Sequence, residues 1–385
     1  MNILLAPNAL KGSLSASSAA EAMALGIRRR LPDADIRTIP VADGGDGMIE
    51  AIAGHLSAEP VECTVTGPLG QPVRTAFLYA ADRQLAIIEM ARASGLALLP
   101  PHELDALNAT STGTGELIKA ALNQGCRHIV LGIGGSATTD AATGLATALG
   151  VRFLDEHQKP VSGNGGCLQT IRTIDTSNLD PRLCNVTLEV ACDVDNPLIG
   201  PEGAAAVYSP QKGATQDDVW LLERGLSHFG SLLEAHAGRE LESLAGAGAA
   251  GGAGAGLVGL LNATLKPGAR LVLDLLKVEA AVAQADLVFT CEGHLDSQTC
   301  HGKAPAAVAG LAKKHRVPCV GIAGAIDDHT GQLHEAGFDA LFSLCPGPVS
   351  LDQAMAHAAD YLANTAEQVM RCRQTAIPRL QAVDS

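Results

Sequence analysis

Four times in this chain an apolar, strand-like run breaks off at a loop of glycine mixed with Asp, Ser, Thr or Lys. The clearest run, residues 128–133, leads into Gly134-Gly135-Ser136-Ala137-Thr138-Thr139-Asp140. Residues 3–6 lead in the same way to Lys11-Gly12-Ser13, and residues 36–41 to Asp43-Gly44-Gly45-Asp46-Gly47. Residues 287–290 lead to Glu292-Gly293-His294-Leu295-Asp296. In open α/β sheets, ligands bind at the loops on the carboxyl ends of the strands. Glycine lets the backbone approach an anion, and hydroxyls, amides and carboxylates then hold phosphate or metal. The pattern predicts an enzyme handling a phosphorylated or acidic small molecule.

A chain of 385 residues is long enough for two domains with a sizeable core. Its formal charge of −14 argues against nucleic acid, whose binding needs a positive footprint. An anionic substrate must then be met by a local cluster of Lys, Arg or metal. The ten cysteines form no C-x-x-C pair, which fits reduced thiols in a cytoplasm better than disulfides or zinc. The apolar start at residues 2–6 is too short for a signal peptide, and no apolar stretch reaches membrane-spanning length. A soluble, cytoplasmic protein is expected.

The N-terminal part alternates strand (3–6), helix capped by Ser15, strand (36–41) and short helix (49–56), an order that implies a parallel sheet. From Val61 the texture changes to short alternating runs around Gly67-Pro68-Leu69-Gly70, which predict hairpin structure. Helices are expected at 115–122, 141–149 and 216–236, the last opened by Thr215, with a strand at 186–190. After Asp286 the α/β rhythm resumes: strand 287–290, helix 304–315, strand 317–323, helix 330–336, strand 340–344, helix 352–372. The prediction is a two-domain α/β fold. A discontinuous Rossmann-like parallel-sheet domain (1–62 plus 286–385) carries an inserted second α/β domain (63–285).

Several motifs carry candidate chemistry. No G-x-x-x-x-G-K-[ST] loop occurs, so a Walker-type phosphate site is absent. The glycine-alanine run 246–256 reads either as a flexible linker or as a glycine loop opening a helix over 257–265. The loop at 132–138 reads as a tight turn or as an anion loop; Asp155 lies near the spacing of a dinucleotide fingerprint, although the glycine order is wrong for one. Lys11, at the end of the first strand, can reach a phosphate or carboxylate as a point charge. Asp43 and Asp46 are turn formers or Mg²⁺ ligands. In Asp193-Val194-Asp195-Asn196-Pro197, Pro197 keeps Asn196 out of helix, so the loop either presents Asp193 or makes an Asx-turn. Lys212 stands just before a helix. Glu292, His294, Asp296, Gln298, Thr299 and Lys303 crowd one segment. His294 and His301, seven apart, match no metal spacing and read as surface histidines.

In order, these segments resemble the type I glycerate kinase family. The matching stretches begin at Ala6-Pro7-Asn8-Ala9-Leu10-Lys11-Gly12-Ser13, Asp43-Gly44-Gly45-Asp46-Gly47, Ile88-Glu89-Met90-Ala91 with Ser94-Gly95-Leu96, and Thr112-Gly113-Thr114-Gly115-Glu116. They continue through Gly132-Ile133-Gly134-Gly135-Ser136-Ala137-Thr138, Cys192-Asp193-Val194-Asp195-Asn196-Pro197-Leu198, Gln211-Lys212-Gly213-Ala214, the run from Gly246 to Gly252, and Glu292-Gly293 to Asp296-x-Gln298-Thr299. The resemblance implies ATP- and Mg²⁺-dependent phosphorylation of D-glycerate to 2-phosphoglycerate, in a cleft between two α/β domains. The chain departs from the family's usual residues at Asn8 (usually Asp), and at Ala141, Ala142 and Cys291 (usually Gly). Those last three predict strain wherever the backbone needs positive φ.

Phosphoryl transfer needs positioning and charge neutralisation. On that basis Asp193 is expected to orient the substrate hydroxyl and accept its proton, with Lys11 and Lys212 neutralising phosphate and carboxylate. Asp43, Glu292 and Asp296 are the expected Mg²⁺ ligands. Gly134, Gly135, Ser136, Gly248 and Gly251 are expected to carry ATP phosphates. Ser13, Gly44, Gly45, Thr138, Asn196, Gln298, Thr299 and Lys303 complete the expected substrate and ATP contacts. Rival readings are a kinase for the 3-hydroxyl or another small hydroxy acid, an NAD(P) oxidoreductase on the 132–136 loop, and a non-catalytic ligand-binding relative.

Overall fold

Ile3, Leu4 and Leu5 are all buried, although they sit in a single strand whose side chains alternate between faces. Burial on both faces is the signature of a parallel sheet covered by helices. The computed structural model, which describes residues 1–43, 48–296, 299, 302–327 and 330–375, shows that arrangement. In chain order the strands are β1 (Asn2–Leu5), β2 (Asp35–Thr38), β3 (Glu59–Thr66), β4 (Pro72–Ala80), β5 (Leu85–Glu89), β6 (His128–Gly132) and β7 (Arg152–Leu154). They continue with β8 (Thr173–Asp175), β9 (Thr187–Ala191), β10 (Thr264–Lys266), β11 (Leu287–Leu295), β12 (Cys319–Ile326) and β13 (Ala340–Ser343). The chain divides into two compact units, Met1–Asp43 with Ala269–Ser385, and Gly44–Gly268.

The first unit holds a five-stranded sheet in the order β13-β12-β11-β1-β2, with every pairing parallel. Counting only its own strands, this is the flavodoxin-like order of doubly wound sheets, and the winding reverses between β1 and β11. The carboxyl ends of those two strands are therefore the position where such sheets take ligands. The helix Ala16–Arg30 starts at Ser15, whose hydroxyl accepts from the Ser18 amide at 3.1 Å. Its apolar face (Ala19, Met23, Ile27) packs in one core cluster with Leu362, Ala366 and Met370 of the helix Ala358–Thr375. The helix expected over 352–372 is two helices, Leu351–Ala356 and Ala358–Thr375, separated by His357 at a non-helical φ of −110°.

The second unit is built on a mixed sheet, β10-β9-β6-β5-β4-β3. β5, β6, β9 and β10 run parallel, while β3, β4 and β5 form the antiparallel edge. Glu89, Gly132, Ala191 and Lys266 pair in one row across the four parallel strands, so the loops that follow leave the sheet from a common level. β7 and β8 form a separate two-stranded ribbon.

Three local expectations are corrected. The strand from Leu287 does not end at Thr290: β11 continues to Leu295, pairing Glu292 with Ala323 and His294 with Ala325, so Glu292 sits on a strand. The glycine-alanine run is no linker. It is buried and forms the opening of the helix Ala249–Leu261, interrupted where Ala250, Gly251 and Gly252 take left-handed dihedrals. That helix stops at Asn262, itself left-handed at φ 53°, so residues 264–266 are β10 and not helix. Of the three lost glycines, Ala141 (φ 47°) and Ala142 (φ 59°) do occupy the left-handed region, whereas Cys291 lies within β11. Among the described residues no helix is long and apolar enough to cross a membrane.

Candidate active site

The row Glu89–Gly132–Ala191–Lys266 places several expected residues side by side. Gly134 and Gly135 lie exposed beyond β6, and Asp193 lies exposed beyond the neighbouring β9. The Gly268 amide, beyond β10, donates to Asp193 Oδ1 at 2.7 Å, which orients the carboxylate across the strand ends.

The 134–138 loop is gripped from two sides. On one side its backbone zips to the segment after β5: the Leu96 amide donates to Gly135 O at 2.9 Å and the Ala137 amide to Ser94 O at 2.8 Å. On the other side Lys212, only 2 % exposed, donates from Nζ to Thr138 O at 2.6 Å and to Ser136 Oγ at 3.2 Å. Burial pulls the Lys212 ammonium down to about 7, against the opposing pull of Asp140. Asp140 is itself fully buried and accepts from the Ser111 amide and hydroxyl and from the amides of Ala142 and Gly144. Burial raises its pKa, and these donors act to lower it. The left-handed Ala141 and Ala142 thus form part of a nest around a buried carboxylate. The hydroxyls of Thr138 and Thr139 are buried without a hydrogen-bond partner among the described residues.

Gly251 and Gly248 are buried against this region. A Cβ at Gly251 would lie 2.1 Å from Thr138 O, and one at Gly248 would lie 2.2 Å from Pro197 O. Asn196 is engaged at both ends: its amide donates to Glu202 O at 2.7 Å, and Tyr208 donates to its Oδ1 at 2.5 Å. Asp155, the acid that a dinucleotide fingerprint needs, follows β7 in the separate ribbon and accepts from the His157 and Lys159 amides. It is not at the end of a strand beside β6, which removes the support for a nicotinamide site on the 132–136 loop.

In the first unit, the segments beyond β1 and β11 hold a second cluster. Asp43 accepts the Ala304 amide at 2.5 Å, capping the helix Ala304–His315, and takes the Asn8 side-chain amide at 3.1 Å. Thr299 donates its amide and hydroxyl to Asp296 Oδ1, at 2.8 and 3.0 Å. Lys303 Nζ stands 3.5 Å from Glu292 and 3.6 Å from Asp296. Burial first, then the charges of Asp43 and Asp296, push Glu292 up to about 7, while Lys303 acts to lower it. Its Oε2 is buried without a hydrogen-bond partner among the described residues. Lys11 is exposed in the loop after β1, and the Ser13 hydroxyl donates to Met355 O at 2.7 Å. Gly44, Gly45 and Gln298 lie outside the described residues.

Among the described residues no three His, Cys, Asp or Glu side chains gather into a closed metal site. Mg²⁺ does not require one, because it is usually held by one or two carboxylates together with substrate phosphates. The orphaned Glu292 oxygen, crowded by two further acids, fits that open kind of site.

Glu89, its partner Arg92 and the buried Asp140 were assigned no role from the sequence. Glu89 is 5 % exposed and accepts from the Ile49 amide at 3.0 Å and from Arg92 Nε at 2.6 Å. The signal was present: a carboxylate closing an otherwise apolar, wholly buried strand requires a partner.

Comparison with known proteins agrees over the whole chain. The family model described as "Glycerate kinase family" matches residues 3–374. A Bacillus subtilis (strain 168) protein named glycerate kinase is 48% identical over 369 residues, covering 96% of this chain and 97% of that protein. An Escherichia coli (strain K12) protein named glycerate 2-kinase is 42% identical over 369 residues, with 96% and 97% covered. A crystal structure from Salmonella typhimurium LT2, provisionally described as glycerate kinase 2, superposes with a TM-score of 0.89 at 44% identity, covering 97% of this chain and 98% of that one. With sequence and fold matching nearly end to end, the chain belongs to the glycerate kinase family.

Proposed function

We propose that this protein transfers the γ-phosphoryl group of ATP to the 2-hydroxyl of D-glycerate, giving 2-phosphoglycerate and ADP. One observation carries the reading. An exposed glycine loop anchored by a buried lysine, and an exposed aspartate oriented by a backbone amide, leave adjacent parallel strands at the same level. Phosphoryl transfer asks for that pair: amides to hold phosphate oxygens, and a carboxylate to orient the attacking hydroxyl.

In this reading Gly134, Gly135 and Ser136 cradle phosphate, and Lys212 fixes the loop from beneath while adding positive charge at its base. Gly248 and Gly251 serve by letting the 196–198 and 138–139 segments approach closely. Asp193 aligns the 2-hydroxyl and takes its proton as the new P–O bond forms and the bond to ADP breaks. Glu292 and Asp43 would hold Mg²⁺ or its waters, with Asp296, Thr299 and Lys303 supporting them. When bound, the ion neutralises charge on the phosphates. Lys11 and Ser13 lie beyond β1, at the first unit's winding reversal, where doubly wound sheets take ligands. We take the two compact units as the two domains of the kinase, in a protein of the cytoplasm.

Phosphorus NMR of the purified protein with ATP, Mg²⁺ and D-glycerate tests this. A resonance of 2-phosphoglycerate is expected. A 3-phosphoglycerate signal moves the reaction to the other hydroxyl, and no product from folded protein removes the kinase reading.

A further inference from the structure

The turn at residues 67–70 and the segment 102–107 have no part in the reaction proposed above. Together with Gly213 and Asp218 they nevertheless wall a hollow of about 510 Å³ in the second unit, a volume within the range of small-molecule sites. Its position is tied to the glycine loop. Leu104, on one wall, packs in an apolar cluster with Ala137 of that loop. Gly213, on another, directly follows Lys212, which donates to Ser136 Oγ and Thr138 O. The two walls meet, since a Cβ on Gly213 would lie 2.4 Å from Leu104 O. The hollow thus adjoins the proposed phosphate site. Its outer side is held as firmly: the Gly70 amide donates to Gly67 O at 3.0 Å and the Thr110 amide to Pro68 O at 2.8 Å. That turn presents Leu69, 38% exposed, to the hollow.

The lining decides what fits. Among the described residues no lysine or arginine lines it, and its ionisable groups are His102 and the carboxylates Glu103, Asp105 and Asp218. Such a surface repels phosphate, while Leu69, Leu104 and Leu107 offer apolar faces. Asp105 is fixed by the Leu107 amide and by the amide and side chain of Asn108, at 3.1, 3.0 and 2.8 Å. Asp218 is fixed by the Thr215 amide and hydroxyl, at 2.8 and 2.6 Å. A carboxylate offers about four acceptor positions, more than these contacts use. Fixed carboxylates beside apolar faces suit the hydroxyls of a ribose and the flat face of a base.

We infer that this hollow receives the nucleoside of the phosphoryl donor, its base against Leu69 and Leu104, its ribose hydroxyls on Asp105 and Asp218, and its phosphates running on to the glycine loop. This rests on the kinase reading above, and the test separates the two. ADP and inorganic tripolyphosphate, which keeps the phosphates and lacks the nucleoside, are titrated calorimetrically with Mg²⁺ into the wild type and Leu69→Trp. The larger ring, on an exposed turn, fills the hollow without entering the core. ADP binding should weaken by about tenfold or more, the scale of a steric mismatch in a ligand pocket, while tripolyphosphate binding stays within about twofold. An azido-adenine analogue of ADP, photolysed on the wild type, should label residues 67–70, 102–107 or 213–218, a readout that needs no variant. Unchanged ADP binding by a folded Leu69→Trp, or label confined to other segments, would overturn the proposal. Equal losses for ADP and tripolyphosphate would overturn it too, because the substitution would then act on the loop and not on the nucleoside. A wild type that binds ADP and is labelled in the hollow but yields no phosphoglycerate removes the kinase reading alone. One that makes 2-phosphoglycerate while the label falls elsewhere removes this site alone, and one that neither binds ADP nor makes product removes both.

Discussion

Lys212 reaches from beneath the glycine loop to Ser136, its Nζ donating to the Ser136 hydroxyl at 3.2 Å and to the adjoining Thr138 carbonyl at 2.6 Å. A lysine so buried has two consequences, one for rate and one for stability. Lys212→Met removes both donors and leaves Asp140 without the nearby positive charge. A drop in kcat/KM of roughly tenfold to a hundredfold is expected, the scale of a lost charge-assisted hydrogen bond. An unchanged rate would show that the loop holds itself.

The same lysine fixes a pH dependence. Its folded pKa, about 7, lies below its ordinary value of 10.5. Between those limits the unfolded chain binds the proton that the folded chain does not, so stability rises with pH across that window. Below about 7 the cost of the buried charge is fully present, and above about 10.5 it is gone. Denaturation midpoints of the wild type should therefore gain on those of Lys212→Met from pH 7 to 10. A constant difference across that range would mean that the ammonium is not destabilised by burial.

Gly251 sits where only glycine fits. Its φ is +70°, and a Cβ would fall 2.1 Å from Thr138 O. Gly251→Ala combines backbone strain with overpacking, a loss of about 2–5 kcal/mol. Denaturant titration checks this, and a loss below about 1 kcal/mol would mean that the two loops yield easily.

Much of this was readable in advance, and the failures have physical causes. The alternation of apolar runs with glycine loops specified the parallel strands, and Ser15 and Thr215 announced helix starts that the structure caps as expected. The glycine-alanine run was ambiguous because low complexity looks alike in a linker and in a tightly packed crossing; only the neighbours at Thr138 and Pro197 distinguish them. The extension of β11 past Glu292 was hidden because its polar residues are paid for by pairing with β12, a contact made across the sheet. Arg92 was passed over for a similar reason. Its neighbour Glu89 was legible as a carboxylate needing a partner, but Arg92 is identified as that partner only in the structure.

Glu292 carries the clearest expectation for the metal. Its Oε2 is buried without a hydrogen-bond partner among the described residues, and its nearest charges are Lys303, Asp43 and Asp296. Glu292→Gln keeps the shape and removes the charge. The Mg²⁺ concentration for half-maximal rate should rise by about tenfold, while the KM for glycerate changes little. An unaltered Mg²⁺ requirement would assign Glu292 to holding Lys303 instead.

Asp193 remains the most direct test of the chemistry. Its Oδ1 accepts from the Gly268 amide, which Asp193→Asn can preserve while abolishing the basic oxygen. Loss of a general base typically costs two or more orders of magnitude in rate. The Asn variant should thus lose roughly a hundredfold or more in kcat with its Tm nearly unchanged, and Asp193→Ala should be no more active. Comparing the two separates proton acceptance from simple orientation. If Asn retains most of the activity and Ala does not, the carboxylate aligns the hydroxyl without taking its proton. If both retain it, the attacking hydroxyl is positioned by other groups.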